Sequence, residues 1–205
     1  MVSDERGQGL IIRGGRAQTD KNDRRVFLAR IDAYTLLRRS LEAYRTQHKQ
    51  YPARVVLHKT SRFENVELEG FREAMEEMKV ELADFVWISS SSPLRVFRQG
   101  GYPVLRGTCI SFDKEALLYT RGSVPFFQTY PGQFIPTPVA LRCEHAEATP
   151  LDVAREVLVL SKMNWNTSQF DGGLPITLRA AREVSRVLRY VPGTVRDVPQ
   201  YSFYI

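Results

Sequence analysis

Cysteine is nearly missing from this chain: Cys109 and Cys143 are the only two in 205 residues, and no CxxC occurs. That argues against a disulfide-framed secreted domain and makes a reduced intracellular protein the expectation. The three histidines, His48, His58 and His145, stand at no metal-ligand spacing to one another or to the cysteines, which speaks against a structural zinc site. No apolar run approaches the ~18 residues of a membrane helix, and no secretory leader precedes Asp4, so a soluble, cytoplasmic protein without a membrane partner is expected. GxSxG, P-loop and GxGxxG motifs are all absent, as are internal repeats and low-complexity segments. What is left is ordinary for a globular domain, with 43% hydrophobic and 25% charged residues.

Charge carries more information. The formal net charge is +6 and the calculated pI is about 9.5. Most of the excess comes early, because residues 1–62 hold 14 basic and 6 acidic side chains. An acidic block from Glu64 to Glu81 follows. Arginine outnumbers lysine 23 to 6, which suits bidentate phosphate contacts but also follows from genomic base composition. A basic balance of this kind points towards a polyanionic partner, with a solubilising surface as the plainer reading.

The pattern of apolar residues predicts strand, helix, strand, helix, strand. Gly9–Arg13 reads as a short strand closed by Gly14 and Gly15. Leu28, Ile31, Tyr34, Leu37, Leu41 and Tyr44 fall at helical spacing. The β-branched run Arg54–His58 predicts a buried strand. Leu68, Phe71, Met75, Met78 and Leu82 mark a second helix, and Asp84–Ser90 the next strand. This order implies an α/β layer with parallel pairing of the later strands. Leu94–Arg98, Gly107–Phe112 and Glu115–Thr120 are shorter strand candidates in antiparallel hairpins. A proline-punctuated loop precedes Val139–Arg142. Thr149 and Pro150 form a good helix start, as N-cap and first helical residue, for a helix to about Met163. The last helix, about Thr177 to Tyr190, buries Leu178, Ala181, Val184, Leu188 and Val191.

Opposite that stripe lie Arg179, Arg182, Arg186 and Arg189. Over ten residues they span about 15 Å, enough to follow several phosphates; a solvated polar face is the plainer reading. The loop from Asn164 to Gly173 is dense in amides and hydroxyls that can bond phosphates or base edges, and Trp165 or Phe170 could stack on a base. It reads equally well as a capped turn. Nothing resembles a catalytic centre. A two-metal nuclease on an α/β sheet needs acids at strand ends, whereas the strand ending at His58-Lys59 offers cations. The acids of Glu64–Glu81 fall mostly on a helix's solvated face.

Three segments together carry a family likeness: Tyr119-Thr-Arg-Gly-Ser-Val-Pro125, Leu160-Ser-Lys-Met-Asn-Trp-Asn-Thr-Ser-Gln-Phe-Asp-Gly172 and Leu174-Pro-Ile-Thr-Leu-Arg-Ala-Ala-Arg182. They resemble the C-terminal part of the PIWI domain of bacterial, or more broadly prokaryotic, Argonaute proteins. Val55-Val-Leu-His-Lys-Thr-Ser-Arg-Phe63 resembles a strand and turn of the same domain, and order and spacing agree over residues 7–205. The resemblance implies an RNase H-like core, a mixed sheet flanked by helices, incomplete at its N-terminus. All of 1–205 would be PIWI, with the MID domain and first PIWI strand outside the chain and supplied by a partner chain or a missing segment. Gly9–Arg13 would then expose an unpaired sheet edge.

In active members of the family, four acidic or equivalent residues hold two divalent metals. One belongs to the absent first strand. The second is a glutamate on a loop that here reads Thr19 to Arg25, with Asp20 and Asp23 but no Glu. Lys59 takes the place of the third, and Arg182 aligns with the fourth. Cations there would repel Mg²⁺, so the resemblance implies a catalytically inactive PIWI domain. It would hold a guide strand and its paired target, RNA or DNA, in guide-directed defence against foreign nucleic acid. The implied nucleic-acid contacts are Arg121, Lys162, Asn164, Asn166, Gln169, Arg179, Arg182 and Ile205. The C-terminal carboxylate of Ile205 would bind Mg²⁺ at the guide 5′ phosphate. A metal-dependent endonuclease completed by a partner's acids, and a protein-interaction module on a PIWI fold, are the rival expectations.

Overall fold

In a computed structural model, residues 2–3, 9–20, 25–124, 126, 129, 130, 132, 134–163, 173–188 and 190 are described. Two small antiparallel ribbons precede the first helix. β1 (Val2–Ser3) pairs with β2 (Gly9–Leu10), and β3 (Gln18–Thr19) with β4 (Val26–Phe27). Then come α1 (Arg30–His48), β5 (Arg54–Lys59), α2 (Asn65–Met78) and β6 (Leu82–Ser89). A hairpin of β7 (Cys109–Phe112) and β8 (Glu115–Leu118) is followed by β9 (Val139–His145), α3 (Pro150–Leu160) and α4 (Ile176–Leu188).

One five-stranded mixed sheet organises these elements, in the order β5-β6-β9-β8-β7. β5 and β6 run parallel, as a βαβ unit through α2 requires, and the other pairs are antiparallel. Alternation along β6 sends neighbouring side chains to opposite faces. Phe85 joins Phe63 and Phe71 in a cluster with Leu37, Leu41 and Leu68 from α1 and α2. Val86 and Ile88 face the other way, into a cluster with Val153 and Val157 of α3 and Leu178 of α4. Both are fully buried, and each such side chain contributes about 1.5–3 kcal/mol relative to exposure.

The first layer depends on close helix contact. A methyl group on Gly70 would lie 2.2 Å from the Arg30 carbonyl, so only glycine lets α1 and α2 approach there. Arg30–Glu73 at 3.1 Å, Tyr34–Glu77 and Arg38–Glu77 lace the exposed seam, although surface ion pairs of this kind add little. The second layer is tied by Asp84, which is 1% exposed. It receives the Arg54 guanidinium and the backbone N–H groups of Glu147, at 2.6 Å, and Ala148, at 3.0 Å. Arg54 also reaches Glu156 of α3. Thr149 caps α3 as the sequence predicts, accepting from the Asp152 N–H at 3.2 Å.

Several expectations are corrected. Gly9–Arg13 is not an edge of the main sheet: only Gly9–Leu10 is extended, and it pairs with β1. Among the described residues, the outer strands of the main sheet are β5 and β7. Leu94–Arg98 forms no strand, because Pro93 and the Gly100-Gly101 pair bracket it and the Val96 N–H goes to the Tyr119 hydroxyl at 2.8 Å. The apolar stripe of α2 stops at Met78, where Lys79 takes a left-handed conformation, and Leu82 opens β6 instead. On α4, Ala180 is buried and Ala181 only partly so. No helix among the described residues is long and apolar enough to cross a membrane.

Candidate nucleic-acid interface

At the C-terminal end of β5 the chain presents Lys59. Its Nζ binds the Arg62 carbonyl at 3.0 Å and the carboxylate of Glu67, a residue 1% exposed. Glu67 also accepts from the Leu28 N–H at 2.8 Å and the Glu64 N–H at 3.0 Å. The Glu64 contact is half of a capping box at the start of α2. Two expectations change here. Lys59 is not a bare cation, since its charge is matched by a buried acid. Glu67 does not sit on a solvated face with the rest of its block. Its three-residue spacing from Glu64 is the one sequence signal that marks it.

His58, next to Lys59, is not a cation either. Burial, and then the Arg54 guanidinium, push its imidazole down to about 4, so it is neutral at pH 7. Its Nδ1 pairs with Thr177 Oγ1 at 2.9 Å, tying β5 to the first turn of α4. Nε2 is buried with no partner among the described residues.

Two exposed cations gather where β8, α3 and α4 converge. Beyond β8 the chain turns at Arg121-Gly122. A methyl group on Gly122 would lie 2.5 Å from the Val104 carbonyl and 2.8 Å from the Arg106 nitrogen, so the turn closes this tightly only with glycine. Lys162, just past α3, donates to the Thr120 carbonyl at 2.7 Å. The Thr120 hydroxyl donates to the Gly173 carbonyl, also at 2.7 Å. Gly173 in turn lies against Arg121, whose guanidinium atoms would stand 3.1–3.3 Å from a methyl group there. Thr120 is fully buried while Arg121 and Lys162 are exposed. A buried polar pin thus holds two exposed cations just ahead of the N-terminus of α4, the end of a helix that favours anions.

Arg179 and Arg182 lie on α4, half-buried and exposed respectively. Neither has an acidic partner among the described residues, whereas Arg186 pairs with Glu183 at 3.0 Å. The structure therefore brings together Arg121 and Lys162, with Arg179 and Arg182 on the helix that follows. Sequence reading missed Thr120, Gly173 and Thr177, small residues whose roles depend on contacts between distant segments. Asp23, Asn164, Asn166, Gln169, Arg189 and Ile205 lie outside the described residues. Among the described residues, no three of His, Cys, Asp and Glu are grouped to hold a metal ion.

No family model matches the sequence, and no curated protein is similar to it. Solved structures do match the fold. The Argonaute of Clostridium butyricum, bound to a guide DNA and a 19-mer target DNA, superposes with a TM-score of 0.65 at 17% identity, over 83% of this chain and 22% of that one. The Argonaute of Aquifex aeolicus gives 0.61 at 16% identity, over 84% of this chain and 24% of that one. The chain thus shares its mixed α/β fold with prokaryotic Argonautes and spans 22–24% of their length.

Proposed function

We propose that the chain is the C-terminal portion of an Argonaute PIWI domain with an RNase H-like core, and that it holds a guide strand and its paired target without cleaving them. The observation that carries this reading is the gathering of Arg121 and Lys162 just ahead of α4, a helix that bears Arg179 and Arg182, within an Argonaute-like fold. These groups suit phosphate oxygens, which give affinity without reading sequence. The Clostridium butyricum protein binds a guide and a target DNA, which is the kind of ligand proposed here, whether RNA or DNA.

The absence of cleavage rests on the strand end of β5. The Lys59–Glu67 pair occupies it as a structural lock, and Arg182 adds positive charge on α4. The Ile205 carboxylate is proposed to bind Mg²⁺ at the guide 5′ phosphate. Among the described residues no strand pairs with the outer edge of β5, which supports a further strand joining there, from a preceding segment or a partner chain that also brings the MID domain. Defence against foreign nucleic acid is the role this assembly would serve.

The test uses a labelled 5′-phosphorylated guide, alone and annealed to its target, with and without Mg²⁺. The guide is expected to bind and the target to stay intact. Metal-dependent cutting abolished by Asp20→Asn would favour the nuclease reading instead.

A further inference from the structure

Next to the Arg121 turn lies a cavity of about 310 Å³. Residues of the loop 95–104 form its wall, together with Tyr119, Ile135 and Pro136. The wall is bonded directly to the turn that carries Arg121. The Ser123 N–H donates to the Val104 carbonyl at 2.9 Å, the Arg106 N–H to the Ser123 carbonyl at 3.0 Å, and the Ser123 hydroxyl to the Pro103 carbonyl at 2.7 Å. The cavity wall and the turn that carries Arg121 are therefore directly linked.

The chemistry of the rim is specific. Phe97 is 78% exposed and Tyr102 50% exposed, although both line the cavity. Neither ring is needed to fill the core. Arg95 and Arg98 also line it. Arg95 donates to the Leu94 carbonyl at 2.8 Å and to the Ser92 carbonyl, and Arg98 to the Tyr102 carbonyl at 3.2 Å. Neutral carbonyls orient a guanidinium without cancelling its charge. Among the described residues no acid lines the cavity, and neither arginine has an acidic partner.

We propose that this cavity seats a base of a single-stranded nucleic-acid segment that continues from the Arg121–Lys162 cluster. The base stacks on Phe97 or Tyr102, and its flanking phosphates meet Arg95 and Arg98. Open aromatic rings among unpaired cations are the combination that binds single strands with little sequence preference. A volume at the low end of ligand pockets, which run from about 300 to 1,000 Å³, suits one base rather than a stack. Bases within a duplex already stack on one another and cannot enter. An acidic peptide with an apolar anchor would match the rim's charge, but the bonded link to the turn that carries Arg121 favours the nucleic acid. This inference rests on the nucleic-acid binding proposed above.

The experiment compares the full chain with its Phe97→Ala/Tyr102→Ala variant by fluorescence anisotropy. Three probes are used: a mixed-sequence single strand, the same strand with abasic spacers that keep the phosphates, and a blunt duplex. Circular dichroism checks that the variant, altered only at exposed rings, is folded. The wild type is expected to bind the base-bearing strand about tenfold tighter than the abasic one, and the variant to bind both alike with duplex affinity unchanged. Duplex binding with no preference for bases, or a preference that the variant keeps, overturns the cavity's role and leaves the proposed function standing. Failure of the wild type to bind any of the three overturns both. Binding of an acidic tryptophan-containing peptide that the variant loses, with oligonucleotide binding unchanged, assigns the cavity to a protein partner and likewise overturns the inference.

Discussion

The ammonium of Lys59 and the carboxylate of Glu67 meet at the junction of β5 and α2, with the carboxylate almost wholly enclosed. Two backbone N–H groups complete its shell. The arrangement fastens the end of β5, the start of α2 and the approach to α1 in one place.

Removing either partner strands the other in a poorly hydrated site. Lys59→Met and Glu67→Leu are each expected to destabilise the fold by about 3–5 kcal/mol, and the double variant by less than the sum. Urea unfolding followed by circular dichroism measures this. Single variants within 1 kcal/mol of wild type would show that the pair is merely a surface contact.

His58 gives stability a pH dependence of known sign. Its folded value of about 4 lies below the ordinary 6.5, so the unfolded chain binds the proton more readily. The contribution is fully present above about pH 6.5 and is lost as pH falls towards 4, by up to about 3 kcal/mol. His58→Gln is expected to flatten the fall in urea midpoint between pH 6.5 and 5, a window above most carboxylate titration. An unchanged slope would contradict it.

Gly122→Ala places a methyl group against the backbone of Val104 and Arg106. Because both neighbours are main chain, relief requires the turn to open and Arg121 to move. The expected result is a lower melting temperature together with several-fold weaker guide binding. A variant as stable and as tight-binding as wild type would mean that the turn does not position Arg121.

Asp84→Ala removes the acceptor for the Glu147 and Ala148 N–H groups and strips the Arg54 guanidinium of one of its two acids. A loss of about 3 kcal/mol or more is expected, since a buried donor left unpaired pays its full desolvation. Thermal unfolding checks it, and a loss below 1 kcal/mol would contradict the pinning role.

Local rules carried much of the architecture. The β-branched run of β5, the stripes on α1 and α2 and the Thr149-Pro150 start of α3 are all written in neighbouring residues. Leu94–Arg98 misled because Val96 and Phe97 suit a strand but Tyr119, distant in sequence, takes the backbone bond that a ladder would have used. The candidate site could be proposed from sequence only where charge or motif marked it, at Arg121, Lys162, Arg179 and Arg182. Glu67 and His58 were misread for a single reason, which is that burial decides whether an acid is solvated or locked and whether an imidazole carries charge. Thr120 and Gly173 have no local signature, because their work is to join segments 53 residues apart.

The central claim is that phosphate contacts at Arg121, Lys162, Arg179 and Arg182 hold a nucleic-acid strand. The most direct measurement is the dissociation constant of a labelled 5′-phosphorylated guide across a salt series, for the wild type and for Arg121→Ala/Lys162→Ala and Arg179→Ala/Arg182→Ala. The account predicts binding that weakens steeply with salt, and for each double variant a several-fold loss with a slope reduced by roughly 1–2. Binding by the wild type with the same affinity and slope in both variants would contradict it.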